Sequence, residues 1–247
     1  MRMRPDDKQS TPRGRRPQRT ERTFFSAIPA DSASAAPPAA IVVTPKFPRG
    51  FYARPTLDVA RELLGKVLVH DRRGVRTSGA IVEVEAYIGE ADPACHAAPG
   101  PTRRNEPLYG VPGHAYVYLN YGIHCLVNVV TEPPGSPAAV LIRALAPIDG
   151  IDVMRRRRAR AMKGRRAAQN GNAIPEHDLC RGPGNLTMAM GITLAENRAD
   201  LTGDRLFIED RRITVDSLAS GTRIGIRVGT DRPWRFWAAG HPAVSGR

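Results

Sequence analysis

Between Gly79 and Leu145 the apolar positions recur at short intervals, and this stretch predicts most of a sheet. Gly79–Ile88 alternates with a period of two, so Val82, Val84 and Ala86 share one face and Glu83, Glu85 and Tyr87 the other. Ala115–Asn120, His124–Val130 and Val140–Leu145 read as further strands, rich in Val, Leu, Ile and Tyr. Lys66–His70 reads as a strand joined to Gly79–Ile88 through a polar connection, Asp71–Ser78, as in a hairpin. Ahead of it, Thr56 is a candidate N-cap, followed by Leu57, Ala60, Leu63 and Leu64 at helical spacing and by Gly65 at the C′ position. A basic helix is predicted from about Asp149 to Met162 and a short one over Asn185–Met190, with Gly164–Glu176 as the loop between them. Short strands are expected near Arg205–Ile208, Ile213–Val215, Ile224–Val228 and Arg235–Trp237, which makes a mixed α/β chain without internal repeats.

Composition changes this picture at its edges. Residues 1–45 alternate Arg clusters (Arg13, Arg15, Arg16, Arg19) with Pro, Ser and Ala and offer little to bury, so a disordered basic tail is expected before one domain over 46–247. The formal charge of +13 favours a polyanionic partner, since each neutralised phosphate releases counterions; a proteome rich in Arg is the other source of such a charge. Cys95, Cys125 and Cys180 lie far apart with no C-x-x-C pair, which indicates neither a disulfide framework nor a zinc site. Cys95 and His96 are adjacent, and neighbours on a strand point to opposite faces, so no metal is expected. No apolar run reaches the ~18–20 residues that span a bilayer, and the N-terminus lacks the apolar core of a secretory signal. An intracellular, reducing location is expected, cytoplasmic and nucleoid-associated if the source is bacterial, with no membrane partner.

The chemistry gathers in four places. Glu83, Glu85 and Tyr87 form a polar face that, read in isolation, belongs in solvent because Glu is seldom buried; a polar cleft is the other reading. Tyr116, Tyr118 and Tyr121 crowd three rings into six positions, suited to base stacking or to an ordinary strand surface. Asn128 sits inside the apolar Val127–Val129 run, and a buried amide needs a partner or a ligand. Arg143 interrupts Val140–Leu145, and a buried guanidinium needs a carboxylate such as Glu85; an exposed edge position is the alternative.

The order of these segments resembles one family. Glu83-Val84-Glu85-Ala86-Tyr87-Ile88-Gly89, Asp92-Pro93-Ala94-Cys95-His96 and Pro101-Thr102-Arg103-Arg104-Asn105 are similar to the N-terminal motif of the 3-methyladenine (alkyladenine) DNA glycosylases. Pro112-Gly113-His114-Ala115-Tyr116-Val117-Tyr118, Tyr121-Gly122-Ile123-His124, Leu141-Ile142-Arg143-Ala144-Leu145 and Leu179-Cys180-Arg181-Gly182-Pro183 continue the resemblance. Pro233-Trp234-Arg235-Phe236-Trp237 and Pro242-Ala243-Val244-Ser245 close it, so that it runs from about Phe51 to the C-terminus. Gly184 and Asn185 depart from the more basic or polar residues of the family's loop.

The resemblance implies a single α/β (mixed α+β) domain, with a curved antiparallel sheet and surrounding helices. It implies a monofunctional enzyme without cofactor that binds duplex DNA as a monomer. Such an enzyme flips alkylated or deaminated purines (3-methyladenine, 7-methylguanine, ethenoadenine, hypoxanthine) from the helix and hydrolyses the N-glycosidic bond, leaving an abasic site. On that basis Glu85 is the general base acting on water, with Glu83 as the lesser candidate, and Arg143 holds the water and the carboxylate. Tyr87, His96 and Tyr118 sandwich the base, Asn128 opposes the 2-amino group of guanine, and Tyr121 fills the gap in the duplex. The physical logic is consistent: a stacked base hides its glycosidic bond and must be extruded at a cost of about a few kcal/mol. An alkylated purine also carries positive charge, which aromatic faces attract. Two other classes stay open at this level. A damaged-DNA or RNA binding module would use the rings and the charge but leave Glu85 and Arg143 without purpose; a nucleoside or small-glycoside hydrolase would need neither the charge nor Tyr121.

The arginines at 155–158 and 160, followed by Lys163, Arg165 and Arg166, wrap around a helix and cannot all meet one DNA face. Phosphate contact by some and a solvated basic surface are both open readings. Gly182–Asn185 is either a turn and cap or a set of backbone donors for a phosphate.

Overall fold

A computed structural model describes residues 45–162 and 174–246. The expected tail over 1–45 lies outside the described residues except for Pro45, as do Lys163, Arg165, Arg166 and most of the expected loop after them. The described helices are α1 (Arg49–Tyr52), α2 (Thr56–Glu62), α3 (Ile151–Met162) and α4 (Pro183–Met190). The strands are β1 (Val67–Arg72), β2 (Val75–Ile88), β3 (Ala115–Asn120), β4 (His124–Val130), β5 (Ala138–Asp149), β6 (Leu206–Glu209), β7 (Leu218–Gly221) and β8 (Arg235–Ala238). They form one curled sheet in which every neighbouring pair is antiparallel, in the order β3-β4-β5-β2-β1-β6. The 14-residue β2 is its spine: β5 runs along one side, while β1 takes the first half of the other side and β8 the second.

The hairpin β1–β2 reaches further than composition suggests. Asp71–Ser78 is mostly strand, because Asp71 pairs with Arg76 across the ladder. The turn is confined to Arg73 (φ 54°) and Gly74 (φ 75°), the positive-φ pair that a two-residue hairpin turn requires. Near the helix start, Pro55 rather than Thr56 takes the cap position, and the carboxylate of Glu132 accepts from both the backbone N–H and the hydroxyl of Thr56.

Alternation along β2 decides the layers. Val84 and Ala86 face α2, α3 and α4, packing in the main core with Val59, Leu63, Val140, Ile142, Met154, Leu186 and Met190. Glu85 and Tyr87 face the opposite side. That side is not solvent, because the irregular segments after β2 and before β8 cover it; Cys95, Ala97 and Leu108 pack there with Tyr116, Val130 and Ala139. Two expected strands prove to be part of such coverings. Ile213–Val215 is irregular, with the Ile213 carbonyl laid over Gly65, and Ile224–Val228 is a looped segment whose first N–H leaves the sheet for a side chain. Strand β7, which the pattern does not suggest, pairs with β8 instead.

The arginine helix is a solvated surface only in part. Arg158 is buried, donating to the carbonyls of Asp178 and Leu179, and Arg157 donates to the Ala189 carbonyl at 3.0 Å, so these two tie α3 to α4 and its approach. Arg156 and Arg160 are exposed.

Gly65 gives a sharp test of the layer packing. It sits at φ 81°, and a Cβ there would lie 2.5 Å from the Ile213 carbonyl oxygen. Gly65→Ala is expected to cost more than about 1 kcal/mol, since both the backbone conformation and the contact oppose it. Denaturant unfolding checks this, and an unchanged midpoint would contradict the packing described.

Candidate active site

The sheet register places one transverse row of side chains on the covered face. Tyr116 pairs with Asn128, Asn128 with Leu141, Leu141 with Glu85, and Glu85 with Arg235, so five strands contribute one residue each. The rows on either side of it add Tyr118, opposite Leu126, and Tyr87, opposite Ala139. Above these rows opens a cavity of about 370 Å³, within the size range of small-molecule sites. Tyr87, His96, Tyr116, Tyr118, Tyr121, Asn128 and Arg143 all contribute to its lining, and among the described residues no lysine does.

Glu83 and Glu85 are fully buried, which overturns solvent as their environment. Their partners explain how. The β2–β5 ladder carries two compensating irregularities: Val82 is extra on β2, and Arg143 is extra on β5 between Ala144 and Ile142. The first turns Val82 away from Val84 and Ala86 into a separate small cluster with Ala144, Ala238 and Ala243. The second puts Arg143 between the two carboxylates, its Nε 2.9 Å from Glu83 Oε1 and one Nη 3.1 Å from Glu85 Oε1. Arg235 Nε also donates to Glu83 Oε1 at 2.8 Å, and the Ser245 N–H to Glu83 Oε2 at 2.6 Å. Two carboxylates thus balance two guanidinium groups, and each group is hydrogen-bonded, which buried charge requires.

The two glutamates differ in what surrounds them. All the partners of Glu83 come from the β5 bulge and the C-terminal segment, and it does not reach the cavity. Glu85 is not a lining residue either, but its partners are. Its Oε2 accepts from the Tyr87 hydroxyl at 2.8 Å and its Oε1 from the Ile224 N–H at 2.7 Å, while Oε1 also forms the ion pair with Arg143. Tyr87, Ile224 and Arg143 are themselves lining residues.

The rings form the walls. His96 meets Tyr118 at 4.4 Å between centroids, Tyr118 meets Tyr116 at 5.3 Å, and the Tyr116 hydroxyl lies 2.9 Å from His96 Nδ1. Burial, with the nearby Arg104 charge adding to it, lowers the His96 imidazole below its ordinary value and so favours the neutral ring. Burial likewise raises the hydroxyls of Tyr87 and Tyr118, and pushes that of Tyr116 up to about 12. Asn128 is buried and donates to the Tyr116 carbonyl at 3.0 Å, which fixes its amide against the cavity. The premise of a strand at Cys95-His96 fails: the segment is a series of turns, and both residues line the same cavity. Among the described residues no three His, Cys, Asp or Glu side chains converge as a metal site would require.

Tyr121 stands apart. It occupies the β3–β4 turn at φ 49°, followed by Gly122 at φ 69°, and is 85% exposed at the mouth of the cavity between exposed Leu119 and Ile123. A left-handed tyrosine costs about 1–2 kcal/mol. On α4, Pro183 reaches the cavity, while the Asn185 side chain donates back to the Arg181 carbonyl at 2.8 Å.

The profile of the methylpurine-DNA glycosylase family matches residues 50–242, the span that builds the sheet, the cavity and its coverings. The chain belongs to the methylpurine-DNA glycosylase family. Similar proteins, each provisionally named a 3-methyladenine DNA glycosylase, come from distant organisms. One from Methanocella arvoryzae is 48% identical over 207 residues, covering 82% of this chain and 97% of the relative. One from Chlorobium phaeobacteroides is 46% identical over 204 residues, 82% and 96% respectively, and one from Clostridium acetobutylicum 44% over 207 residues, 81% and 97%. As a member of this family the chain is a DNA glycosylase, a hydrolase of N-glycosyl bonds with DNA as its substrate. Among the described residues no helix is long and apolar enough to cross a membrane.

Several site residues escape a reading of the sequence. Tyr116 belongs to the tyrosine cluster but gives no sign that it holds His96. Arg235 and Ser245 lie in the closing motif and give no sign that they reach Glu83. Asp92 and Arg223 form a fully buried ion pair beside the cavity, 131 residues apart in the chain. The Glu83 cluster yields a direct test. Glu83→Gln removes the charge shared by two buried guanidinium groups and is expected to cost at least about 3 kcal/mol of stability. Chemical denaturation measures it; a loss below about 1 kcal/mol would mean that Glu83 does not hold the cluster.

Proposed function

We propose that this methylpurine-DNA glycosylase draws a damaged purine nucleotide out of duplex DNA into the ring-lined cavity, and that Glu85 activates the water that displaces the base. The observation that carries this reading is the set of bonds around Glu85. A carboxylate offers about four acceptor sites. The Tyr87 hydroxyl and the Ile224 N–H occupy two of them as donors, and the Arg143 guanidinium stands 3.1 Å away as an ion-pair partner. The carboxylate is therefore held by two hydrogen bonds and one ion pair, with acceptor capacity left for water on the cavity side. Arg143 is the group that holds the carboxylate and helps hold the water.

In this reading Tyr87, His96 and Tyr118 stack on the extruded base, as each aromatic face attracts the positive charge of an N3- or N7-alkylated purine. Such a base is a good leaving group, so one carboxylate suffices where ordinary glycosidases use two. Asn128, its amide locked by the Tyr116 carbonyl, collides with the 2-amino group of undamaged guanine. The substrate class is 3-methyladenine and 7-methylguanine, together with ethenoadenine and hypoxanthine, and the enzyme acts as a monomer. The cavity lining, free of lysine, supports direct hydrolysis to an abasic site without a Schiff base.

Tyr121 fills the space that the flipped nucleotide vacates. The support is its exposure at a strained turn, since a conformation that costs energy and buries nothing in the free protein calls for a partner.

Two variants test these roles. Glu85→Gln keeps the size and most of the hydrogen bonds, so binding to lesion-containing duplex is expected to persist while single-turnover excision falls at least about 100-fold. Wild-type excision by that variant would remove Glu85 from the chemistry. Tyr121→Ala leaves the fold untouched, and its excision from duplex is expected to fall about 10-fold or more while excision from single-stranded oligonucleotides falls less. Equal losses on both substrates would contradict the wedge.

A further inference from the structure

Three of the pieces that wall the cavity are the end of β2, the turn segment around Asp92–His96 shortly after it, and the looped segment 222–229 from far along the chain. One side chain touches all three. Arg223 donates to the Ala86 carbonyl at 3.0 Å, to both oxygens of Asp92 at 2.5 and 2.8 Å, and to the Gly229 carbonyl at 3.2 Å. Its guanidinium also lies 4.6 Å from the Tyr87 ring centroid and 5.2 Å from that of Trp234. Asp92 extends the clamp by accepting from the N–H groups of Ala94 and Ile88, with Arg232 at 3.6 Å. The side chains of Arg223 and Asp92 are wholly buried and neither lines the cavity.

The next residue is Ile224, whose N–H donates to Glu85 at 2.7 Å. The segment that carries it has no ladder of its own to hold it. The fork of Arg223 is what fastens its start to β2, and Gly229 fastens its end. Gly229 lies at φ 62°, and a Cβ there would come within 3.1 Å of the Arg223 guanidinium, so the sequence leaves this position empty for the clamp.

We infer that Arg223, paired with Asp92, is a positioning residue for base excision: it holds the Ile224 N–H on the Glu85 carboxylate and backs the Tyr87 ring from outside the cavity. The inference rests on the assignment of Glu85 as the residue that acts on water. A lysine at 223 keeps the charge but cannot span Ala86, Asp92 and Gly229 at once, because it lacks the planar fork.

The test combines a spectroscopic and a catalytic readout on the full chain carrying 15N-labelled isoleucine. In the wild type the Ile224 amide proton is expected to be shifted downfield and protected from exchange. In Arg223→Lys it loses that shift and that protection while core amides keep theirs. Single-turnover excision of ethenoadenine from duplex falls at least 10-fold, and the Kd for lesion duplex stays within threefold. If Arg223→Lys does not fold, the double variant Asp92→Asn with Arg223→Gln removes both charges together and is expected to show the same pattern. An unchanged Ile224 amide in a folded variant overturns the inference, as does a displaced amide with wild-type excision. Glu85→Gln, assayed in parallel, keeps the two questions separate: its full activity defeats the role of Glu85, whereas the Ile224 resonance reports on the clamp whichever acid acts.

Discussion

A buried guanidinium placed between two buried carboxylates is the constraint around which the rest of this protein is arranged. Neither charge is tolerable alone in the interior, so Arg143, Glu83 and Glu85 can exist only together. Satisfying them explains features that otherwise look unrelated. The paired irregularities in β2 and β5 are what let Arg143 reach both acids. Arg235 and Ser245 bring the C-terminal end of the described chain back to the middle of the sheet to complete Glu83. Glu85 is left with its remaining bonds on the cavity side, from Tyr87 and Ile224. Glu83 and Glu85, two residues apart on one face of one strand, are distinguished by which covering segment supplies their donors.

The same arrangement separates rigid from adaptable parts of the site. Asn128, Leu141, Glu85 and the first two tyrosines stand on neighbouring strands in a single register, where a slip would turn every one of them to the wrong face. His96, Ile224 and Tyr121 come from turns and loops. Each of these is fixed by a specific bond or by backbone geometry: the Tyr116 hydroxyl for His96, Glu85 for Ile224, and the paired positive-φ residues for Tyr121. The Tyr121 tip projects into solvent, which suits contact with a large flat partner, and the +13 charge favours a polyanion such as DNA.

Much of this was legible in the sequence, and the illegible part has a physical pattern. β3 and β4 are legible to their ends because each is a run rich in Val, Leu or Tyr, the two separated by a turn around Gly122. The parity that sends Glu85 and Tyr87 to one face and Val84 and Ala86 to the other was also readable. What could not be read was that the polar face is covered, because its cover has no period: it is made of turns such as Asp92–His96 and loops such as Ile224–Gly229. Val82 was placed on the wrong side since nothing in Ile81-Val82-Glu83 marks a bulge. The β-branched residues of Ile213–Val215 and Ile224–Val228 suggested strands, but their backbones serve as lids. Arg157 and Arg158 looked like surface charge and in fact terminate the carbonyls of other segments, a role set by tertiary packing alone.

The most direct test of the account is product analysis on a methylated duplex incubated with excess enzyme under borohydride. A carboxylate directing water at the sugar predicts free 3-methyladenine, an intact but alkali-labile strand, and no protein trapped on the DNA. A strand cut without alkali, a borohydride-trapped adduct, or no free base at all would contradict it.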